Sequence, residues 1–287
     1  MSDAVYLHYT QEELDRNFDQ RSWAKNSEEV IARYPRRNEA TRKTLRHRLD
    51  VRYGAGMDEV LDIFLADKSP APVQIFVHGG AWARGSKSDY SFVADTFVPA
   101  GIHTVVLNFS KLPQARLPDV VAQVRRACEW VYRNAASFGG DPARIHACAH
   151  SSGAHLTAMA LVEDWPARGL PQDFIKGATL LSGPYDLEPV VLSARSAYVV
   201  LSAEEVSALS PIRHVARIGC PVIAAHGEND TDEFRRQSTA FIAALERAGK
   251  PLKTLRLAGA NHFEAMEQYG DPSSPLGAAV LAQVRGR

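Results

Sequence analysis

The sequence predicts an α/β fold: a mostly parallel central sheet flanked by helices, with an N-terminal helical arm and a small cap. Three observations carry this reading. Strand candidates such as Pro72 to Val77 are near-continuous apolar runs, as expected where helices cover both faces of a sheet. They alternate with amphipathic helices, the pattern of right-handed crossovers between parallel strands. Two of them end in turns rich in small residues, and sheets of this kind carry their chemistry at the carboxyl ends of the strands.

Taken in order, residues 10 to 48 are polar and helix-like. Thr10 and Glu13 form a capping box, and Leu14 and Phe18 share one face. Residues 1–44 form the N-terminal helical extension, expected to pack on the main domain. Leu45 to Tyr53 and Val60 to Ala66, separated by Gly54-Ala55-Gly56, read as a hairpin. Pro72 to Val77 is the first buried strand and runs into His78-Gly79-Gly80-Ala81-Trp82. Asp89 to Pro99 reads as a helix and Ile102 to Asn108 as a strand. From Asp119, Val120, Val124, Ala127 and Val131 step by four, three and four along a helix that stops at Gly139-Gly140. Ile145 to Leu156 is strand, sharp turn, helix. Ile175 to Leu181 is a strand. Residues 184–214 have no strand character and are expected to form a cap over the strand ends. Pro221 to His226 is a strand. Phe234, Ser238, Phe241 and Leu245 mark a helix closing at Gly249-Lys250-Pro251. Leu252 to Leu257 is the last strand and Leu276 to Val284 a terminal helix. The whole chain, 1–287, reads as one domain.

Composition narrows the function. Lys plus Arg and Asp plus Glu each number 33, so no global charge draws the chain to nucleic acid or membrane. Arg33 to Arg48 holds seven basic residues and one acid, Glu39. Without interleaved aromatics after Tyr34, this stretch reads as a solvated or interfacial helix face rather than a nucleic-acid contact. Cys128, Cys148 and Cys220 form neither a metal-ligand cluster nor a disulfide framework, which suits a reducing compartment. No run approaches the roughly 20 apolar residues of a membrane span, and Met1 to Thr10 is polar. A cytoplasmic location is expected. A homodimer is left open.

The chemistry centres on Ala149-His150-Ser151-Ser152-Gly153. It matches the nucleophile elbow G-x-S-x-G, with Ala149 in place of the first glycine. Gly153 sets the register, making Ser151 the nucleophile and leaving Ser152 to offer its backbone N–H. By itself the pattern is equally that of a strand followed by a serine-capped helix. The order of its partners along the chain decides. Serine needs a base, and the base an orienting acid. His262, just past the final strand, is the base candidate among ten histidines. Asp230, after the preceding strand, is the acid, and Asp232 is better placed to favour a helix N-terminus. Thirty-two residues separate Asp230 from His262, about one βαβ unit. The loop His78-Gly79-Gly80-Ala81-Trp82 resembles the H-G-G-G loop of lipases and esterases. It assigns the oxyanion donors to the N–H groups of Gly80, Ala81 and Ser152. His78 is expected to brace the loop and His226 to be structural. Trp82, Tyr185 and Phe263 are the candidates for an aromatic substrate wall.

These motifs, with Ala40-Thr41-Arg42-Lys43, Gly85-Ser86-Lys87, Ser182 to Pro189 and Glu233 to Ser238, resemble the kynurenine formamidase (arylformamidase) branch of the α/β-hydrolases. That branch lies close to the hormone-sensitive-lipase-like esterases, and the likeness runs from about Tyr9 to the C-terminal helix. It implies the α/β-hydrolase fold, a catalytic triad of Ser151, Asp230 and His262, no metal and no cofactor. It also implies hydrolysis of N-formyl-kynurenine or of small aryl and acyl esters. Departures are Ala149 for glycine and Ser152 where alanine is common. The competing readings are a carboxylesterase outside tryptophan breakdown, a silent hydrolase fold used for binding, and a nucleic-acid contact through the basic arm.

Overall fold

A computed structural model of the chain describes residues 3–286. Eight strands make one sheet: β1 (His47–Arg52), β2 (Val60–Phe64), β3 (Ala71–Val77), β4 (His103–Leu107), β5 (Gly140–His150), β6 (Ile175–Leu181), β7 (Val222–Gly227) and β8 (Leu252–Leu257). Their spatial order is β1-β2-β4-β3-β5-β6-β7-β8. The hairpin β1–β2 is antiparallel and joins the sheet antiparallel to β4; every pairing from β4 through β8 is parallel. This is the α/β-hydrolase arrangement. All six parallel strands point their carboxyl ends to one edge.

Alternation along the strands separates two cores. Val73, Ile75 and Val77 of β3, Val105 and Leu107 of β4, and Ile145, Ala147 and Ala149 of β5 face one layer. Phe76, Val106 and Cys148 face the other. The period of two explains why both residue sets must be apolar and the strands read as continuous runs.

Twelve α-helices cover these faces among the described residues. The arm forms α1 (Gln11–Asn17), α2 (Gln20–Trp23), α3 (Ser27–Ala32) and α4 (Tyr34–Thr44). The others are α5 (Ala94–Phe97), α6 (Leu117–Asn134), α7 (Ser152–Leu161), α8 (Glu188–Leu192), α9 (Ala203–Ala208), α10 (Asp232–Arg247), α11 (His262–Glu267) and α12 (Pro275–Val284). Helix α6 buries Val120, Val124, Ala127 and Val131 on the stripe its spacing dictates. The helix expected over Asp89 to Pro99 is instead a 3₁₀ segment, Lys87–Val93, followed by the short α5. Tyr90 interrupts it with φ −134°, and its ring lies parallel to His78 at 5.3 Å. Residues 184–214 hold α8, α9 and 3₁₀ turns, without a strand. Helix α11 is an addition to the elements expected from the sequence. Its signal is present in Asn261 and Glu264, which form a capping box.

The arm crosses the sheet edge. Leu14 and Phe18 belong to one core, Val30 and Tyr34 to the other. Its polar residues fasten it: Asn17 Oδ1 accepts from Glu233 N at 2.9 Å, and Thr231 Oγ1 donates to Asn17 O at 2.8 Å. Arg33 pairs with Glu267 at 2.7 Å, and Arg42 donates to Ser91 Oγ at 3.0 Å. The basic stretch thus lies partly in an interface within the chain itself. No helix among the described residues is long and apolar enough to cross a membrane.

Candidate active site

Ser151 stands between β5 and α7 with φ +55° and ψ −127°, a conformation that costs a non-glycine residue of order 1–3 kcal/mol. What over-determines it is close packing on either side. A Cβ on Gly153 would stand 2.2 Å from Val77 O and 2.4 Å from His78 O, so only glycine lets α7 begin against the end of β3. Ser151 N in turn donates to Leu181 O of β6 at 2.8 Å. The strand ends therefore clamp the turn and push its hydroxyl out over the sheet edge.

Asp230 follows β7 and His262 opens α11 after β8. His262 Nε2 lies 2.9 Å from Ser151 Oγ, and Nδ1 lies 2.9 Å from Asp230 Oδ1. Asp230 is 1% exposed, and its second oxygen accepts from Ser182 Oγ at 2.6 Å and Gly227 N at 3.0 Å. A buried carboxylate must be satisfied in this way or remain very costly. Both Oδ2 partners hold the carboxylate plane, which in turn aims the imidazole. His150 packs on His262 with ring centroids 4.3 Å apart; burial pushes its pKa well below the ordinary value and keeps it neutral. No like charge then sits beside the imidazolium that proton transfer would create.

The glycine loop lies directly over this group. Gly80, Ala81 and Trp82 all have positive φ, at +120°, +54° and +60°. A Cβ on Gly79 would come within 2.9 Å of Ser151 Cβ. His78 is fully buried between Tyr90 and Phe109, and Nδ1 donates to Gly79 O at 2.7 Å. Burial lowers its pKa to about 4, so it braces the loop as a neutral ring. Trp82 N donates to Ser152 Oγ at 3.1 Å, a tie between loop and elbow that no sequence pattern announces. Among the described residues, the N–H groups of Gly80, Ala81 and Ser152 have no acceptor within the chain. Ser152 is the first residue of α7, where an N–H has no intrahelical partner.

A cavity of ≈ 330 Å³ opens onto Ser151 and His262. Its aromatic lining is Phe18, Tyr34, Tyr90 and Phe263. Of the three wall candidates, Phe263 lines the cavity, whereas Trp82 and Tyr185 do not. Trp82 turns inward to donate from Nε1 to His155 Nδ1 at 3.3 Å, and His155 Nε2 donates to Leu209 O at 2.8 Å. Tyr185 stacks on Phe241 at 3.9 Å within the core. The roles assigned to both rings are corrected to packing. In their place the arm supplies Phe18, Gln20, Ile31 and Tyr34, and residues 184–214 supply Arg195. His226 closes on Gly227 O at 3.0 Å outside the cavity, and Asp232 pairs with Arg235 in the first turn of α10. Among the described residues no group of three or more His, Cys, Asp or Glu stands where it could hold a metal ion.

Comparison with known proteins places the chain among hydrolases. The BD-FAE family pattern matches residues 61–166, and that of the prolyl oligopeptidase family matches residues 192–273. The chain is 32% identical to a kynurenine formamidase of Danio rerio over 86% of this chain and 85% of that one. It is 33% identical to the esterase LipQ of Mycobacterium tuberculosis, over 70% of this chain and 53% of that one. Among solved structures, a candidate thioesterase of a Silicibacter species superposes with a TM-score of 0.81 at 25% identity, covering 93% of this chain and 98% of the other. The chain is accordingly a hydrolase of amides or esters.

Proposed function

The chain belongs to the kynurenine formamidase family of α/β-hydrolases, and from that premise we propose that it cleaves an N-formyl or other acyl arylamide through an acyl-enzyme on Ser151. N-formylkynurenine is the foremost candidate, giving kynurenine and formate in tryptophan breakdown. The observation that carries the reading is the chain of two 2.9 Å contacts, Asp230 to His262 to Ser151, beneath three unclaimed N–H groups.

Ser151 Oγ attacks the formyl carbon as His262 Nε2 takes its proton. Asp230 holds Nδ1–H and stabilises the cation. The carbonyl oxygen, now an anion, rests on the N–H groups of Gly80, Ala81 and Ser152; one such donor contributes about 2.7–4 kcal/mol in the transition state. The carbon–nitrogen bond breaks, the amine leaves with the proton from His262, and Ser151 carries the formyl ester. Water then attacks by the same route, releasing formate and restoring the serine. The aromatic lining supports an aryl leaving group, and the formamidase relative supports the formyl group.

A second reading is a carboxylesterase for small acyl or aryl esters, favoured by the similarity to the mycobacterial esterase. Steady-state rates on N-formylkynurenine and on a short p-nitrophenyl ester separate the two. A kcat/KM for the formamide at least tenfold above that for the ester supports the first; turnover of the ester alone overturns it.

A further inference from the structure

Arg195 is a charge without a counter-charge. It lies between α8 and α9, is 8% exposed, and lines the same cavity as Ser151 and His262. No Asp or Glu among the described residues forms an ion pair with it. Its Nη2 donates to a neutral acceptor, Phe18 O, at 2.7 Å, and its Nη1 has no partner. What surrounds it is aromatic: its Cζ is 5.0 Å from the Phe18 ring, 5.8 Å from Phe234 and 6.0 Å from Trp82. Ring faces offset part of the cost of burying a cation, but they leave the donors of Nη1 unused. An unpaired buried charge is expensive, and arginine cannot shed its proton to escape that cost.

Neither carboxylate that lines the cavity forms an ion pair with Arg195, although the Asp19 charge acts on it at longer range. Asp19 accepts from Ser22 N at 3.2 Å and from Ser22 Oγ, and Asp89 from Ser86 N at 2.8 Å. Arg21 and Arg84 at the rim also make no ion pair among the described residues, so the lining holds three guanidinium groups against two carboxylates. Phe234, in contact with Arg195, meets the His262 ring edge-on at 5.2 Å. Phe234 thus lies between the cation and the imidazole, both of which line the one cavity.

We propose that Arg195 is a specificity-determining residue whose guanidinium, with Nη1 unpartnered and enclosed in this structure, turns that edge into the cavity to receive a carboxylate borne by the substrate. The fork of guanidinium donors fits a carboxylate, and the ion pair would form at a guanidinium that is itself largely buried. The substrate class narrows to acyl arylamides or esters carrying an anionic group on the part that fills the cavity. Arg195 comes from residues 184–214, so the specificity is set by the segment over the strand ends, apart from the residues that face the scissile bond. The proposal rests on the reading that Ser151 faces the substrate.

The test is calorimetric titration of Ser151→Ala protein with N-formylkynurenine and with its uncharged α-carboxamide, which differ in the anionic group alone. The carboxylate form is expected to bind about 10- to 100-fold tighter, the span of a hydrogen bond to a charged group. Arg195→Met in the same background should erase that ratio, and Arg195→Lys should keep part of it, because charge survives and the fork does not. Circular dichroism of each variant establishes the fold, and the ratio in the Arg195 protein stands whether or not Arg195→Met folds. Equal binding of the two compounds, or a ratio that survives Arg195→Met, overturns the proposal. Turnover of N-formylkynurenine by the wild type is read separately. Its absence beside an intact binding ratio refutes the formamidase reading and leaves the anion site standing; turnover without a ratio does the reverse.

Discussion

Replacing Asp230 with asparagine tests the geometry at its least forgiving point. The amide has one acceptor oxygen and one donor nitrogen, and the site decides which goes where. One carboxylate oxygen accepts from Gly227 N at 3.0 Å, a backbone donor that cannot reverse its role, and from Ser182 Oγ at 2.6 Å. The amide oxygen must therefore turn to Gly227, which leaves the NH₂ facing His262 Nδ1, now 2.9 Å from a carboxylate oxygen. To avoid two donors meeting, the imidazole moves its proton to Nε2. That nitrogen lies 2.9 Å from Ser151 Oγ and, once protonated, cannot take the serine proton. The expected loss in kcat is about 10⁴-fold, the magnitude seen when a triad histidine is held in the wrong tautomer, or roughly 5 kcal/mol of transition-state stabilisation. Size and shape are kept, so thermal unfolding should move little. The assay is kcat on a p-nitrophenyl ester beside a melting curve. A loss below tenfold with an unchanged melt would refute the tautomer argument and the role given to Asp230.

The same contacts set three more expectations. Ser182→Ala removes one of the hydrogen bonds to the Asp230 carboxylate, a bond to a charged acceptor worth about 1.5–3 kcal/mol. It should lower the denaturation midpoint and cut kcat about 10-fold, and unchanged values of both would count against Ser182 as a positioning residue. Gly153→Ala places a methyl 2.2 Å from Val77 O, so urea denaturation should show a loss of ~3 kcal/mol or more, or no soluble protein; wild-type stability would contradict the packing of α7 on β3. Burial pushes His78, His146 and His155 from 6.5 down to about 4. Their neutral forms are favoured in the folded chain, so the associated stability is full above pH 6.5 and is lost as pH falls toward 4, by up to about 3 kcal/mol each. Chemical denaturation at pH 7.5, 6 and 5 should show this decline; a flat profile to pH 5 would refute it.

Much of the fold was legible because it is written in local periodicity. The runs Val73 to Val77 and Ile145 to Ala149 are apolar on both faces but for Gln74 and His146, since two cores face them. The elbow and the loop at Gly80 were legible for a different reason. Steric demands there admit few residue types, as the clash of any Cβ at Gly80 with Arg84 O at 2.0 Å illustrates. The pocket was less legible. Whether an aromatic ring faces a cavity or a core depends on long-range packing, so Trp82 turned inward to His155 and Tyr185 to Phe241. The arm's crossing of the sheet edge depends on contacts such as Asn17 with Glu233, more than 200 residues apart, which no spacing rule encodes. Arg195 carries no motif, and Ser182 opens the Ser182 to Pro189 stretch without any sign of its bond to Asp230; the importance of both arises from what they lack or touch in three dimensions.

The central claim is that Ser151 is a nucleophile activated by His262. Peptide mapping by mass spectrometry after treatment with a fluorophosphonate tests it most directly. A single adduct on the peptide containing Ser151, absent in Ser151→Ala and slowed by several orders of magnitude in His262→Gln, is the expected result. An adduct on another residue, or labelling of His262→Gln at the wild-type rate, would contradict it.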